Sequence, residues 1–327
     1  MSNIKERAAL INKEAALMGK KVYSGETPKN TTFRKDLQKV KSKVVTLDDA
    51  IRFSGLKDGM TISFHHHFRS GDKVVNMVVG RLAEMGFKNL HLAASSLSDV
   101  HAPLIEHIKN GVITKISTSG LRGELAKEIS HGLMKEPVIF RSHGGRGSDI
   151  ANDDLHIDVA FLAASACDPA GNASGYSRSP NAKSICGSLG YAKPDAQHAD
   201  KVVIITDDLV DYPNTPNSIS EHDVNYVVLV DSVGDSSKIS SGAIRDTKNP
   251  RDILLAMNAA KVIVNSGYFK EGFSLQTGSG GASLAAVKYI REEMLKRGIH
   301  ASFALGGITA HMVKMHEEGL IGRLIDV

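Results

Sequence analysis

Six short apolar runs, at residues 60–64, 89–94, 112–117, 137–141, 159–164 and 202–206, are separated in several places by helix-patterned segments (74–85, 102–109 and 122–133). This alternation narrows the choice of fold more than any other feature. A run such as Val159-Ala160-Phe161-Leu162-Ala163-Ala164 has no polar alternate position, so it predicts a strand covered on both faces rather than one with a wet side. Parallel strands need long crossovers between them, and helices supply these. The expected architecture is therefore α/β, built from parallel βαβ units, with ligand loops at the carboxyl ends of the strands. Ahead of the first run, Thr46-Leu47-Asp48-Asp49 predicts a capped helix start, with the helix running through Phe53 and closing at Gly55.

A chain of 327 residues is long enough for about two domains. The segment 211–223, with Pro213 and Pro216, marks a surface connection, and a second unit is expected to follow it. Its predicted elements are a strand at 227–230, a helix at 252–265, a strand at 273–277, a helix at 281–297, a strand at 302–305, a helix at 308–318 and the start of a strand from Leu320. These are too few to finish a second sheet. The expected organisation is a basic arm at 1–44, a first α/β domain at 45–223 and the beginning of a related second α/β domain at 224–327 that looks incomplete.

The formal charge of +4 is uneven: residues 1–43 hold eleven basic and four acidic residues, a net +7, which leaves −3 for the rest. The arm suits either an acidic partner or a simple solvated role. Nucleic acid is not expected, because such surfaces add exposed aromatics and this chain has 5% aromatics and no tryptophan. No apolar run approaches the roughly 18 residues of a membrane span, and Met1-Ser2-Asn3-Ile4-Lys5-Glu6 lacks a signal-peptide core, so a cytoplasmic protein is expected. Cys167 and Cys186 make no disulfide framework and have no metal-site spacing. Both are expected to be reduced and buried.

Three motifs at strand ends suit anions. In Phe273-Ser274-Leu275-Gln276-Thr277-Gly278-Ser279-Gly280-Gly281, a strand enters a glycine turn that opens a helix, where unpaired N–H groups and the positive end of the dipole face outward. Ser283 stands where a dinucleotide fingerprint wants its third glycine. Phe64-His65-His66-His67-Phe68-Arg69 offers three imidazoles and a guanidinium; in an extended chain only His65 and His67 converge, and no nearby cysteine or carboxylate completes a zinc set, so carboxylate binding, with a simple solvated loop as the alternative, is expected rather than metal. Arg141-Ser142-His143-Gly144-Gly145-Arg146 reads as a backbone nest with Arg146 aimed at an anion, or as a crossover turn. Cys167-Asp168-Pro169-Ala170-Gly171-Asn172 is rich in turn dipeptides, which favours a structural role for Asp168, Pro169 and Gly171. A nucleophile elbow, a Walker A loop, an H-E-x-x-H helix and a C-x-x-C pair are all missing from the sequence.

Taken with the run from Gly55 to Arg69, these stretches resemble the alpha subunits of citrate lyase, and the resemblance covers nearly the whole chain from about Val45. It implies a CoA-transferase-like fold of two related α/β domains and transfer of an acyl carrier thioester from acetate to citrate. It implies a lyase beta subunit, an acidic acyl carrier protein and a hetero-oligomer. The thioester-carrying prosthetic group, of the phosphoribosyl-dephospho-CoA type, would come from the carrier, with no cofactor bound directly by this chain. Better-known CoA transferases carry a nucleophilic glutamate two residues past a histidine in the strand after the glycine turn. Here His300-Ala301-Ser302 puts Ser302 there, which agrees with attack by a citrate carboxylate itself through a mixed anhydride. On that reading Gly280, Gly281 and Ser302 belong to the catalytic set. The substrate-binding set is His65, His66, His67, Arg69, Gly144, Gly145, Arg146, Asn172, Thr277, Gly278 and Ser279. Two other readings of the residues stay open: an ordinary CoA transferase or acyl-CoA thioesterase, and a module of the same fold that only binds an anionic metabolite.

Overall fold

The computed structural model describes residues 4–19, 41–180, 182–186, 189–239, 247–278 and 280–325. The chain divides into two compact units, Met1–Val40 and Lys41–Val327. In the first, the described element is α1 (Ile4–Leu17); most of the predicted basic arm lies outside the described residues.

The second unit begins with β1 (Val44–Val45), α2 (Leu47–Ser54), β2 (Thr61–Phe64), α3 (Val74–Glu84), β3 (Leu90–Ala94), α4 (Leu104–Lys109), β4 (Ile113–Thr118), α5 (Gly123–Ser130) and β5 (Ile139–Phe140). It continues through α6 (His143–Ala151), β6 (Val159–Ala164), β7 (Ala166–Cys167), β8 (Ala173–Ser174), α7 (Lys193–His198), β9 (Lys201–Thr206) and β10 (Tyr226–Leu229). The predicted caps of α2 are present: Thr46 accepts from the Asp49 N–H, and Gly55 takes the left-handed conformation at φ 72°.

Eight strands form one parallel sheet in the order β1-β10-β9-β6-β2-β3-β4-β5. All six residues of β6 are buried, as a central strand covered on both faces must be. From β2 the chain runs outward through β3, β4 and β5, then returns on the other side of β2 as β6, β9 and β10. The direction of winding reverses between β2 and β6. In open α/β sheets the crevice outside the carboxyl ends of the strands at such a point is where ligands sit.

The smaller part contains α8 (Pro250–Val264), β11 (Phe273–Gln276), α9 (Gly281–Arg297), β12 (Ala301–Leu305), α10 (Ala310–Glu317) and β13 (Leu324–Ile325). Its three strands pair in parallel in the order β11-β12-β13. A core of Val287, Ile290, Met294, Met312, Met315 and their neighbours covers this sheet, and it shares no residue with the core of the larger one.

Two expectations are corrected here. The strand predicted at 227–230 to open the second unit is β10, hydrogen-bonded between β1 and β9 of the first sheet, so that sheet runs past residue 223. Apolar composition marks a strand but not its neighbour. Secondly, the stretch from Arg141 to Arg146, read as a nest or a crossover turn, leads into α6, with Ser142 as N-cap.

Candidate functional site

β2 delivers its chain end to the reversal point, and the three histidines follow at once. The His65 and His67 rings lie 3.7 Å apart between centroids, and His65 and His66 5.1 Å apart. All three gather, not only the alternate pair expected of an extended chain, because the strand ends at Phe64 and the backbone turns. Other segments close the group. His143, the first residue of α6, stacks on Tyr191 at 4.8 Å, and Tyr191 is also 5.4 Å from His65. Ser95, just past β3, meets both the His66 N–H at 2.9 Å and its Nδ1 at 2.5 Å.

His65 is buried, and neither of its ring nitrogens has a hydrogen-bond partner among the described residues. Burial, followed by the neighbouring His67, holds its pKa well below the usual imidazole value. His66 is lowered to about 4, again by burial first and then by His143 and Arg69. At neutral pH these two rings are therefore uncharged, and each offers both a donor and an acceptor. Arg69 sits on the next turn with φ 50°, is exposed, and pairs with no carboxylate among the described residues. A neutral polar pocket beside one uncompensated guanidinium is suited to carboxylates.

Arg146 differs from the expectation. It is 1% exposed, and its Nη1 and Nη2 donate to the two Asp195 oxygens at 2.7 Å each, with a further bond from Nη2 to the Ala93 carbonyl. Ser63 donates to the same carboxylate at 2.5 Å. Its charge is neutralised by a wholly buried partner, so it forms a wall of the pocket, 5.8 Å from the Tyr191 ring centre, and does not clamp a substrate carboxylate. Gly145 is explained by packing: its N–H caps onto Ser142 Oγ at 3.0 Å, and a Cβ there would come within 2.8 Å of that oxygen. Gly144 lies exposed in the same first turn.

Asn172 also departs from its expected role. Its amide nitrogen donates to Asp168 and Glu221 at 2.8 and 2.9 Å, and its oxygen accepts from Asn217 and the Glu221 N–H. No capacity is left for a ligand. Asp168, fully buried, accepts from the N–H groups of Ala170, Gly171 and Asn172, which is the structural turn that the sequence favours there.

The glycine-rich turn belongs to the smaller sheet and forms as predicted, β11 leading through Thr277 and Gly278 into α9. Ser279 lies outside the described residues. Gly280 is the N-cap, in extended conformation at φ −75° and ψ 151°, with no side-chain cap. Among the described residues, the first N–H groups of this 17-residue helix receive no side-chain bond from the N-cap. Thr277 Oγ1 is buried with no partner among the described residues. An anion at this helix end would meet backbone donors and the dipole together.

Ser302 is the extra residue of a bulge, since Phe273 pairs with Ala301 and Ser274 with Phe303. Its hydroxyl donates to the Phe273 carbonyl at 3.1 Å. That bond gives the hydroxyl a local structural role at the bulge.

Tyr191 and Ser95 are the pocket residues that sequence reading missed; neither lies in a recognisable motif. Cys167 and Cys186 are buried, and burial pushes both thiols up, Cys186 to about 11, so neither is a nucleophile. Among the described residues, the side chains that could hold a metal ion are His156, Asp158 and Asp200, whose donor atoms lie within 4.8 Å of one another. They sit at the amino ends of β6 and β9, the opposite end of the sheet from the histidines. Asp153, through its hydrogen bond to Nδ1, leads in raising the His156 pKa, so the carboxylates around this ring favour its protonated form.

The model of the citrate lyase alpha subunit family (CitF) matches residues 39–327. The citrate lyase alpha chain of Klebsiella pneumoniae is 57% identical over 325 residues, which is 99% of this chain and 63% of that one. The Escherichia coli citrate lyase alpha chain is 56% identical, covering 92% of this chain and 58% of its own length. The chain thus spans about three-fifths of the length of the curated relatives it matches. A Streptococcus mutans chain assigned as the alpha subunit of citrate lyase, crystallised in complex with citrate, superposes with a TM-score of 0.84 at 56% identity, over 88% of this chain and 56% of that one. The malonate decarboxylase alpha subunit of Acinetobacter baumannii shares the fold at a TM-score of 0.65 and 18% identity, over 88% of this chain and 52% of that one. No helix among the described residues is long and apolar enough to cross a membrane.

Proposed function

Because the chain belongs to the citrate lyase alpha-subunit family, we propose that it carries the transferase step of that complex, moving an acyl carrier thioester from acetate to citrate. The observation that carries the reading is the relative crystallised with citrate, 56% identical over 88% of this chain. The pocket chemistry supports it. Citrate brings three carboxylates, and Arg69 with the neutral histidines supplies the cation and the adaptable donors to orient them.

In the proposed reaction a citrate carboxylate attacks the acetyl thioester carbonyl, the C–S bond breaks, and the carrier leaves as a thiolate. The thiolate then attacks the citryl carbonyl of the mixed anhydride, giving citryl-carrier and acetate. Both steps place negative charge on a carbonyl oxygen. The N–H groups of Gly281 and Ala282, in the first turn of α9 beyond the Gly280 cap, are the candidate donors for it, worth about 3 to 4 kcal/mol each in well-studied oxyanion holes. A carboxylate is already ionised at neutral pH, so no general base is needed. The lyase beta subunit, the acidic carrier and a cytoplasmic setting are parts of the same proposal, and the carrier would supply the thioester-bearing group.

Exchange tests this directly. The protein is mixed with acetyl-CoA as a stand-in for the carrier, with citrate or succinate as acceptor, and the thioesters are read by mass spectrometry. Citryl thioester formed with citrate, and no succinyl thioester with succinate, is the expected result. Thermal stabilisation by citrate without any thioester product would reduce the chain's role to binding.

A further inference from the structure

Beside the histidines, a cavity of about 580 Å³ opens between the turn that follows them and the loop that follows β10, again at the carboxyl ends of strands. Its size lies in the ordinary range for a bound small molecule. Its frame is fixed by backbone contact: Asp72 bridges Gly234, the Asp235 N–H donates to the Gly71 carbonyl at 2.9 Å, and the Lys73 N–H to Val233 at 3.2 Å. A Cβ on Gly71 would lie 2.2 Å from the Asp235 carbonyl oxygen, and one on Gly234 2.3 Å from the Phe68 ring. The two loops touch where only glycine fits.

Three lysines from separate segments, Lys73, Lys183 and Lys238, line this cavity together with Ser70 and Ser236. Lys73 bonds Ser232 Oγ at 3.0 Å and Lys183 the Asp231 carbonyl at 3.4 Å, both neutral oxygens. Two carboxylates are also present. Asp72 is 2% exposed and engaged by the Val75 N–H and His101. Asp235 holds the Ser237 N–H and hydroxyl and lies 4.0 Å from the Lys238 ammonium. Lys238 thus lies beside Asp235, while Lys73 and Lys183 are bonded to neutral oxygens. Ammonium groups on flexible stems, gathered from three segments around one cavity, suit the several oxygens of a phosphate or pyrophosphate.

We propose that this lysine-lined cavity receives the phosphate-bearing arm of the thioester donor, a pyrophosphate-linked pantetheine thioester of the CoA class. The proposal rests on the transferase reading and gives that donor a place: the turn that carries Arg69 beside His66 lines the phosphate site with its next residues, Ser70 to Lys73.

Calorimetry with CoA, and with inorganic pyrophosphate as competitor, tests it on the whole chain and on the Lys73→Gln, Lys183→Gln, Lys238→Gln triple variant. All three side chains are exposed, so an unchanged melting temperature is expected to show that the variant folds. CoA should bind, pyrophosphate should displace it, and the triple variant should lose about 30-fold or more in affinity, with the loss shrinking at high salt. Thermal stabilisation by citrate should remain as in the parent, which separates failure of this site from failure of the transferase reading. Undiminished CoA affinity in the triple variant, no CoA binding by the parent, or no competition by pyrophosphate would each overturn the assignment. Loss of affinity for an acidic carrier protein with CoA affinity unchanged would overturn it too, in favour of a protein-docking surface.

Discussion

Arg69 and Arg146 show how one side-chain chemistry serves opposite ends. Arg146 is locked onto Asp195 in the interior, whereas Arg69 keeps its charge uncompensated beside His66. Arg69→Ala should therefore raise the citrate KM about 10- to 100-fold, the scale of one or two charge-assisted bonds, and leave the KM for acetyl-CoA within about twofold; equal losses for both substrates in the exchange assay would count against the assignment. His66 supplies a pH test. It titrates at about 4 in the folded state against an ordinary value of 6.5, so between those values the unfolded chain binds more protons and stability falls as the pH is lowered. Melting scans across that window should show the parent losing stability more steeply than His66→Gln, and parallel curves would show that the ring does not titrate there.

At the scale of elements, α9 offers the sharpest test. A helix start without a capping side chain is a local weakness, and placing an acid at the cap should relieve it. Gly280→Asp is expected to stabilise the protein by up to about 1 kcal/mol, seen as a higher melting temperature, by engaging the first N–H groups and the dipole. The same carboxylate would occupy the proposed oxyanion site and slow thioester exchange by about 100-fold or more. Higher stability with undiminished exchange would show that the reaction uses other donors. The turn before α9 was legible because strand, glycines and helix are contiguous in the chain. α6 was not: His143-Gly144-Gly145-Arg146-Gly147 has poor helix propensity, and the Ser142 cap with the Arg146–Asp195 pair, which ties α6 to α7, holds the segment helical. The same distance in sequence hid the fate of Arg146. Its partner lies 49 residues on, and no local pattern announces a buried ion pair. The bulge at Ser302 is hidden from the sequence for a related reason, since it is defined by pairing with another strand.

For the whole molecule, periodicity located the main strands of both sheets and most of the long helices, but missed β1, β7, β8, α1, α6 and α7 and did not place the line between the two sheets. An apolar run such as Tyr226–Leu229 reads the same whether it closes one sheet or opens the next, and only its parallel pairing with β9 decides. The two cores make the division physical. Every member of the larger hydrophobic cluster lies between Val44 and Ile239, and every member of the smaller between Ala260 and Leu324. A fragment ending at Ile239 would keep all eight strands of the larger sheet and the entire histidine pocket while losing the glycine-rich turn. It should unfold in a single cooperative transition in urea, with a slope reduced in keeping with its smaller buried surface. It should still be stabilised by citrate, because Arg69, His65, His66 and Tyr191 all remain, and it should make no citryl thioester, because the α9 amino terminus is gone. A fragment that fails to fold cooperatively would show that the smaller sheet completes the larger one's core. A folded fragment that citrate does not stabilise would move the acceptor site onto the glycine-rich turn.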